Sequence, residues 1–558
     1  MIWISVALAT SDFDGTPVAT YTGDETHLQD GSVQLWGQIE LHEDGDSLLF
    51  AQEDFNDGLA WPAESDWAPW IHSMFGSGTP HSSNFLLHSG TLEPISEGTP
   101  ILFVPGAGDN GSRGFIVMAS RMNATMRPVF VLTFAHPHGD VFMQAEVVAD
   151  AIARIKERRG VDQVDVVGHS KGAIAAAVYA SNHASASWPS SAYEQVGTEY
   201  SNDIRRFVAI GAPLDGIDTA YRWSAQNWAA LDADAAISPS SWSTYYPYTT
   251  GNLAVSEDLS AQDHLRSGGD LFPGHRQLLR RQDHALPGES WLGAYSLQQD
   301  WYTTYEGGFG YLSHSEGIDA AIEDGGDLIG ALEDNGVDPS VELFVLAGEN
   351  PLLHNGAEYQ WIATFGESWV DIATSGVDAW AELLADAVEQ AGVSEVDSVE
   401  VRGLVQGKLV LGEISGPSDG LVFLSSATHA ETLTGRGASV TEVKVVDLAH
   451  LDLLYASPVT GEILIETGEA DPTEDGWMRA VGERYVEADT LGWVQSVLED
   501  PSESVDTGDT GVGDTGVEDG PGSPDGTGNV KRNCDGCASG PPALALGWLG
   551  VLLLRRRR

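Results

Sequence analysis

Val164-Asp165-Val166-Val167-Gly168-His169-Ser170-Lys171-Gly172-Ala173-Ile174-Ala175-Ala176-Ala177 decides how this chain is read. Val164, Val166 and Val167 form a β-branched run that suits a buried strand. The Ala-rich run from Ala173 is built from the best helix former. Between them stands G-x-S-x-G, so the spacing predicts a strand, a tight turn and a helix, with Ser170 exposed at the turn as a nucleophile. The turn forces Ser170 into a strained conformation and leaves no room for a Cβ at 168 or 172. It also sets the hydroxyl beside a helix N-terminus, which favours developing negative charge.

The pentapeptide gains its meaning from this context. A chain with 64 glycines yields roughly one such match by chance, and Gly416-Pro417-Ser418-Asp419-Gly420 is one. There, Pro precedes the serine and Leu-Val-Phe-Leu follows it, so no small-residue helix presents Ser418. Gly45-Asp46-Ser47-Leu48 is similar to the motif of the GDSL esterases. Its setting, Glu43-Asp44-Gly45-Asp46-Ser47, reads instead as a hairpin turn between Val33–Leu41 and Leu48–Ala51.

Outward from Ser170, strands alternate with helices, and this implies a doubly wound, mostly parallel α/β sheet. Ile101–Val104, Val129–Phe134 and Phe207–Ile210 read as strands, and Phe115–Met126 as a helix. Ala145, Val148, Ala149, Ile152 and Ile155 recur at helical spacing, with Gly160 as a stop. Residues 99–217 are thus the first half of the core. Residues 218–340 lose the alternation and are crowded with aromatics, among them Trp223, Trp228, Tyr245, Trp291, Trp301 and Tyr311. They read as an insertion over the strand ends, either a lid with an acyl-binding surface or a unit with its own aromatic core. Residues 341–500 resume the core through Val341–Leu346, a helical insertion at Trp380–Ala391, Val399–Val405, Val443–Val446 and a closing helix over Trp477–Leu498. Residues 21–98, polar and rich in Gly, Asp and Trp, read as an N-terminal β-rich cap.

Composition narrows the partners. The 558 residues hold 27 Lys+Arg against 83 Asp+Glu, a net charge of −56. Such a surface repels nucleic acid and anionic membranes and keeps the chain soluble. The two cysteines, Cys534 and Cys537, both lie near the C-terminus, so the body has no disulfide. Residues 1–20 begin with a short apolar run and an Ala7-x-Ala9 site like the end of a secretory signal peptide. Residues 501–530 carry an acidic Asp-Thr-Gly linker. Residues 531–558 place Cys534-Asp535-Gly536-Cys537 before an apolar run, Pro541–Leu554, and then Arg555–Arg558. That run falls short of the ~20 residues that span a bilayer. Together these ends imply export, to the medium or to retention at the cell surface or outer membrane.

A serine hydroxyl needs a base, and the base needs an acid to fix its tautomer. In this topology the acid and then the base follow the nucleophile in the chain. Asp419, in Ser418-Asp419-Gly420-Leu421-Val422, fits the acid. His450, the one histidine after the last strand, fits the base. Glu349 and Asp447 are rival acids, and His429 a rival base. Two backbone N–H groups should hold the oxyanion, one from Lys171 after the nucleophile and one from Ala107 in Gly106-Ala107-Gly108.

These blocks carry a resemblance. Residues 99–215 and 341–455 look like an α/β-hydrolase of the lipase type. Ile101-Leu102-Phe103-Val104-Pro105-Gly106-Ala107-Gly108 is similar to the V-P-G-x-G strand of some fungal lipases. Asp419-Gly420-Leu421-Val422 and His450-Leu451-Asp452 resemble the D-G-L-V and H-L-D blocks of secreted bacterial triacylglycerol lipases. There are departures: Pro105 stands where bacterial lipases carry His, Lys171 replaces Met or Gln, and the family's core disulfide is missing. The tail resembles the C-terminal sorting signals of myxobacterial-type surface proteins, which implies a sorting protease and membrane contact.

The expected function is a serine hydrolase of carboxylic esters, a lipase or esterase acting on lipid-like substrates through an acyl-enzyme, with no cofactor required. The resemblance also implies a structural Ca²⁺, with Asp452 as a ligand and Asp397 as a second candidate. Ala456 stands where a further oxygen ligand belongs. An amidase or acyltransferase would use the same three residues. A non-catalytic surface adhesin on the same fold would not need to keep them.

Overall fold

Runs of β-branched and aromatic residues become the strands of one nine-stranded sheet. The structure is a computed structural model that describes residues 13–23, 36–43, 69–78, 80–111, 114–189, 198–217, 274, 277–280, 327–349, 419, 422–467 and 477–499. The strands are β1 (Ala19–Thr22), β2 (Trp36–His42), β3 (Phe85–Gly90), β4 (Ile101–Val104), β5 (Val129–Phe134), β6 (Val164–His169), β7 (Ile204–Ile210), β8 (Glu342–Gly348) and β9 (Val440–Val446). They lie in the order β1-β2-β3-β5-β4-β6-β7-β8-β9. From β5 to β9 every pairing is parallel, whereas β1, β2 and β3 join antiparallel. The chain is therefore an α/β protein with a mostly parallel sheet.

Strands buried on both faces read as continuous apolar runs rather than alternating ones, and every residue of β3, β4, β5 and β6 is buried. Their side chains still alternate between two cores. Leu102 and Val104 join one core and Ile101 and Phe103 the other. The first core is closed by α3 (Val141–Arg159) and α4 (Lys171–Ser181), preceded in the chain by α1 (Pro69–Phe75) and α2 (Ile116–Ala124), which help close the second. Asp140 caps α3 by accepting from the N–H groups of Phe142 and Met143, and Gly160 ends it in the left-handed conformation.

The order locates the site. From β4 the chain moves to β5 on one side, and α3 then carries it back across β4 to β6 on the other. Both neighbours run parallel to β4, and in doubly wound sheets ligands bind beyond the carboxyl ends of the strands at such a reversal of strand order. Ser170 follows β6 directly at this end.

Several expectations change. The described strands of residues 21–98 do not form a separate cap. β2 and β3 extend the main sheet, because β3 offers β5 a full antiparallel ladder from Phe85↔Phe134 to Ser89↔Phe130. β1 starts at Ala19, so the boundary drawn at residue 20 falls inside a strand. The core resumes before 341: α5 (Leu328–Asn335) buries Leu328, Ile329 and Leu332 in the first core. After two short helices, α6 (Leu424–Ala427) and α7 (Glu431–Thr434), an unforeseen α8 (Pro458–Thr467) follows β9. The closing helix is two, α9 (Trp477–Ala488) and α10 (Thr490–Leu498). Asp489 separates them at φ 35°, ψ 58°, and its carboxylate caps α10 at the N–H of Gly492. The hairpin at Gly45, most of the aromatic insertion, Trp380–Ala391, Val399–Val405, Ser418, Asp397, and both terminal segments apart from the residues named lie outside the described residues.

Candidate active site

Ser170 holds φ 52°, ψ −128°, between the last residue of β6 and the first of α4. A residue with a Cβ is strained there by about 1–3 kcal/mol. The strain is locked in from both sides: Ser170 N–H donates to Ile210 O (2.8 Å), and its carbonyl accepts from Ala173 N–H (3.0 Å). Both expected glycine constraints hold. A Cβ on Gly168 would come within 2.5 Å of Ala173 Cα, and one on Gly172 would overlap the carbonyl oxygens of Val104 and Pro105. Gly106 adds a third, since a Cβ there would stand 2.9 Å from Ser170 Cβ. The loop after β4 and the turn at Ser170 therefore touch backbone to backbone.

His450 and Asp419 come together. His450 Nδ1 donates to Asp419 Oδ2 at 2.7 Å, and the two side chains are 3% and 0% exposed. The same pair is tied by its main chain, His450 N–H donating to Asp419 O (2.8 Å). The other carboxylate oxygen, Oδ1, accepts from Val422 N–H (2.7 Å), which closes the turn around Asp419. The imidazole lies against Gly211, where a Cβ would be 3.2 Å from His450 Cε1 and Nδ1. Gly211 directly follows Ile210, the acceptor of the Ser170 N–H, so the ring adjoins the turn at Ser170. Of the rivals, Glu349 and Asp447 are exposed, and His429 lies 3.7 Å from Glu431.

The two expected oxyanion donors flank Ser170. Lys171 is the first residue of α4, and helix-initial amides have no acceptor within their own helix. Ala107 lies in the loop after β4 that Gly106 brings against Ser170. That loop is held at Asp109, whose Oδ1 accepts from the N–H groups of Asn110 (2.8 Å) and Gly114 (3.0 Å). Thr133 Oγ1 holds it too, accepting from Gly111 N–H (2.8 Å).

Three features escaped the sequence reading. The Lys171 side chain is itself buried, donating to Gly139 O (2.6 Å) and to Gln144 Oε1. The loop after β5 holds His138 and Asp140, both fully buried. Burial, with Lys171 second, lowers His138 to about 3, and burial raises Asp140 to about 6 against its amide hydrogen bonds. The third is His169, inside the motif itself, which lies 4.5 Å from His450 between ring centroids. Each is a contact across the fold, and the only local signal was the presence of a His and a Lys in the pentapeptide.

The described residues do not fit a Ca²⁺ site. Asp452 is buried and accepts the hydroxyl of Tyr485 through Oδ1. The Ala456 carbonyl accepts from Thr490 Oγ1 and Leu491 N–H (both 3.1 Å). Ca²⁺ takes about six to eight oxygens, and among the described residues no three His, Cys, Asp or Glu side chains gather as a metal set. Asp397 lies outside them.

Residues 116–220, which run from the start of α2 through the turn at Ser170 to beyond β7, match the family model "alpha/beta hydrolase of unknown function (DUF915)". No curated protein matches the chain. Among solved structures, the mature lipase BlEst2 of Bacillus licheniformis is 13% identical, with 66% of this chain and 92% of that one covered and a TM-score of 0.27. The lin2722 product of Listeria innocua is 14% identical over 68% and 97%, with a TM-score of 0.27. A thermostable carboxyl esterase of Bacillus coagulans is 14% identical over 51% and 84%, with a TM-score of 0.25. Likenesses this low carry no weight of their own, and the α/β-hydrolase fold rests on the sheet order and on the matched segment.

Proposed function

We propose that the chain is a serine hydrolase that cleaves carboxylic esters, with Ser170 as nucleophile, His450 as base and Asp419 as acid. The observation that carries the reading is the buried 2.7 Å bond from His450 Nδ1 to Asp419 Oδ2, set against a strained Ser170. A carboxylate on Nδ1 leaves Nε2 as the lone-pair nitrogen, the state a general base needs. His450 takes the Ser170 proton as the hydroxyl attacks the acyl carbon. Asp419 stabilises the imidazolium. The N–H groups of Ala107 and Lys171 hold the oxyanion, each worth about 3–4 kcal/mol to the transition state. His450 then protonates the leaving alcohol, and water repeats the cycle on the acyl-enzyme. Lipid-like esters are the favoured substrates, because the aromatic-rich insertion leaves the chain after β7, at the end of the sheet that holds Ser170.

Labelling with a fluorophosphonate and mapping the modified peptide tests the nucleophile. A p-nitrophenyl ester series of rising acyl length tests the substrate class. Modification of Ser418 instead of Ser170 would overturn the assignment, and transfer or amide cleavage without ester hydrolysis would overturn the reaction.

A further inference from the structure

His450 sits on a loop, between β9 and the single helical turn Asp452–Leu454, and beside the exposed Asp447. A base on a loop must have its peptide held as well as its ring. Asp419 holds the N–H side and Nδ1. On the carbonyl side, His169 Nε2 lies 3.3 Å from His450 O. His169 is the last residue of β6, registered with Ile210 of β7, so it belongs to the rigid part of the sheet.

We infer that His169 is a positioning residue for the base: its Nε2–H clamps the His450 carbonyl and its ring backs the His450 imidazole. This rests on His450 being the base proposed above. The two rings are tilted at 43°. Phe115 meets His169 edge-on from another side, at 90° and 6.4 Å. Gly106 leaves room beside Nδ1, since a Cβ there would be 3.1 Å away. His169 is 2% exposed, and burial, then the neighbouring His450, hold its pKa well below the ordinary value. A neutral ring suits the task, because it places no second cation beside His450 when the base takes its proton. The acceptor of His169 is thus the main chain of the proposed base itself.

The test uses the full chain with His169→Phe, His169→Leu and His169→Gln, read by p-nitrophenyl butyrate hydrolysis and by the rate of fluorophosphonate labelling. Phe and Leu fill the space without a donor, and Gln carries an N–H at similar reach. Loss of one such bond should lower kcat about tenfold with KM within about twofold, and Gln should recover most of the rate. Melting curves pick out the variants that fold, and Leu serves if the phenyl ring is not accommodated. Wild-type kcat in the Phe or Leu variant, a Gln variant as slow as Leu, or a change confined to KM would overturn the inference. If the wild type neither hydrolyses the ester nor labels at Ser170, the proposed reaction fails and the positioning role fails with it. If the wild type labels and the donor-free variants label as fast, the positioning role alone is lost.

Discussion

Asp165 and Asp419 are both fully buried carboxylates at opposite ends of the same sheet, and their partners could hardly differ more. Asp165, near the start of β6, receives Arg127 Nη2 at 2.6 Å and Arg205 at 2.8 and 2.5 Å through Nε and Nη2. Arg127 also donates to Thr99 O and Leu498 O, which pins the last helix to the sheet. Asp419, beyond the end of β8, faces an imidazole that becomes a cation only when it takes a proton. A carboxylate with standing counter-charges serves the fold. In the reaction proposed above, the counter-charge of Asp419 arises only when His450 takes a proton, and the turn closed by Val422 must hold the carboxylate in place meanwhile.

The sharpest break of this contrast is chemical. Ser170→Ala and His450→Ala should each lower kcat on the order of 10³-fold or more while melting stays near wild type. Asp419→Asn should fall by about 10³- to 10⁴-fold in kcat, since the amide favours the wrong tautomer of His450. Near-normal activity of that variant would return Glu349 and Asp447 to candidacy. At the other end, Asp165→Ala should cost about 3 kcal/mol, because two partly buried arginines lose their anion. Its folded fraction should keep wild-type kcat, and a large kcat loss at full stability would erase the distinction between the two ends.

The smallest effect lies in the pH dependence of stability. Burial alone would raise Glu40, but hydrogen bonds from Arg154 and His42 and the charges of Arg154 and Arg158 hold it at about 2, below its ordinary 4.5. Its contribution is therefore present above pH 4.5 and lost as pH falls through 2. Asp140 is the reverse: raised by burial from 3.8 to about 6, its contribution is whole below 3.8 and lost as pH rises through 6. Denaturant midpoints followed from pH 2 to 7 should flatten on the acid side for Glu40→Gln and between pH 4 and 6 for Asp140→Asn.

The turn at Ser170 and the pairing of Asp419 with His450 could be anticipated because each residue stands at the end of a strand-like run. The parallel strands were legible because burial on both faces makes them unbroken apolar runs, as in Val129–Phe134. β2 was harder to place. Glu40 is a charged residue in a strand, and only the pairing with Arg154 and Arg158 of α3 lets it be buried. The break at Asp489 depends on one residue in the left-handed conformation, which the pattern of Trp477–Leu498 does not reveal. The Lys171 side chain and the ring of His169 were invisible for a different reason. Their partners lie 27 and 281 residues away, and pairings set by the assembled sheet leave no local pattern.

The conformation of Ser170 has a consequence for how this protein can change. At φ 52° glycine is at ease and serine is not. Ser170→Gly should therefore melt higher than Ser170→Ala, by the relieved strain of about 1–3 kcal/mol less the roughly 0.5–1 kcal/mol that glycine loses in chain entropy. A screen that rewards heat resistance alone would drift toward that inert glycine. Hardening this chain without silencing it requires a selection that asks for turnover in the same step.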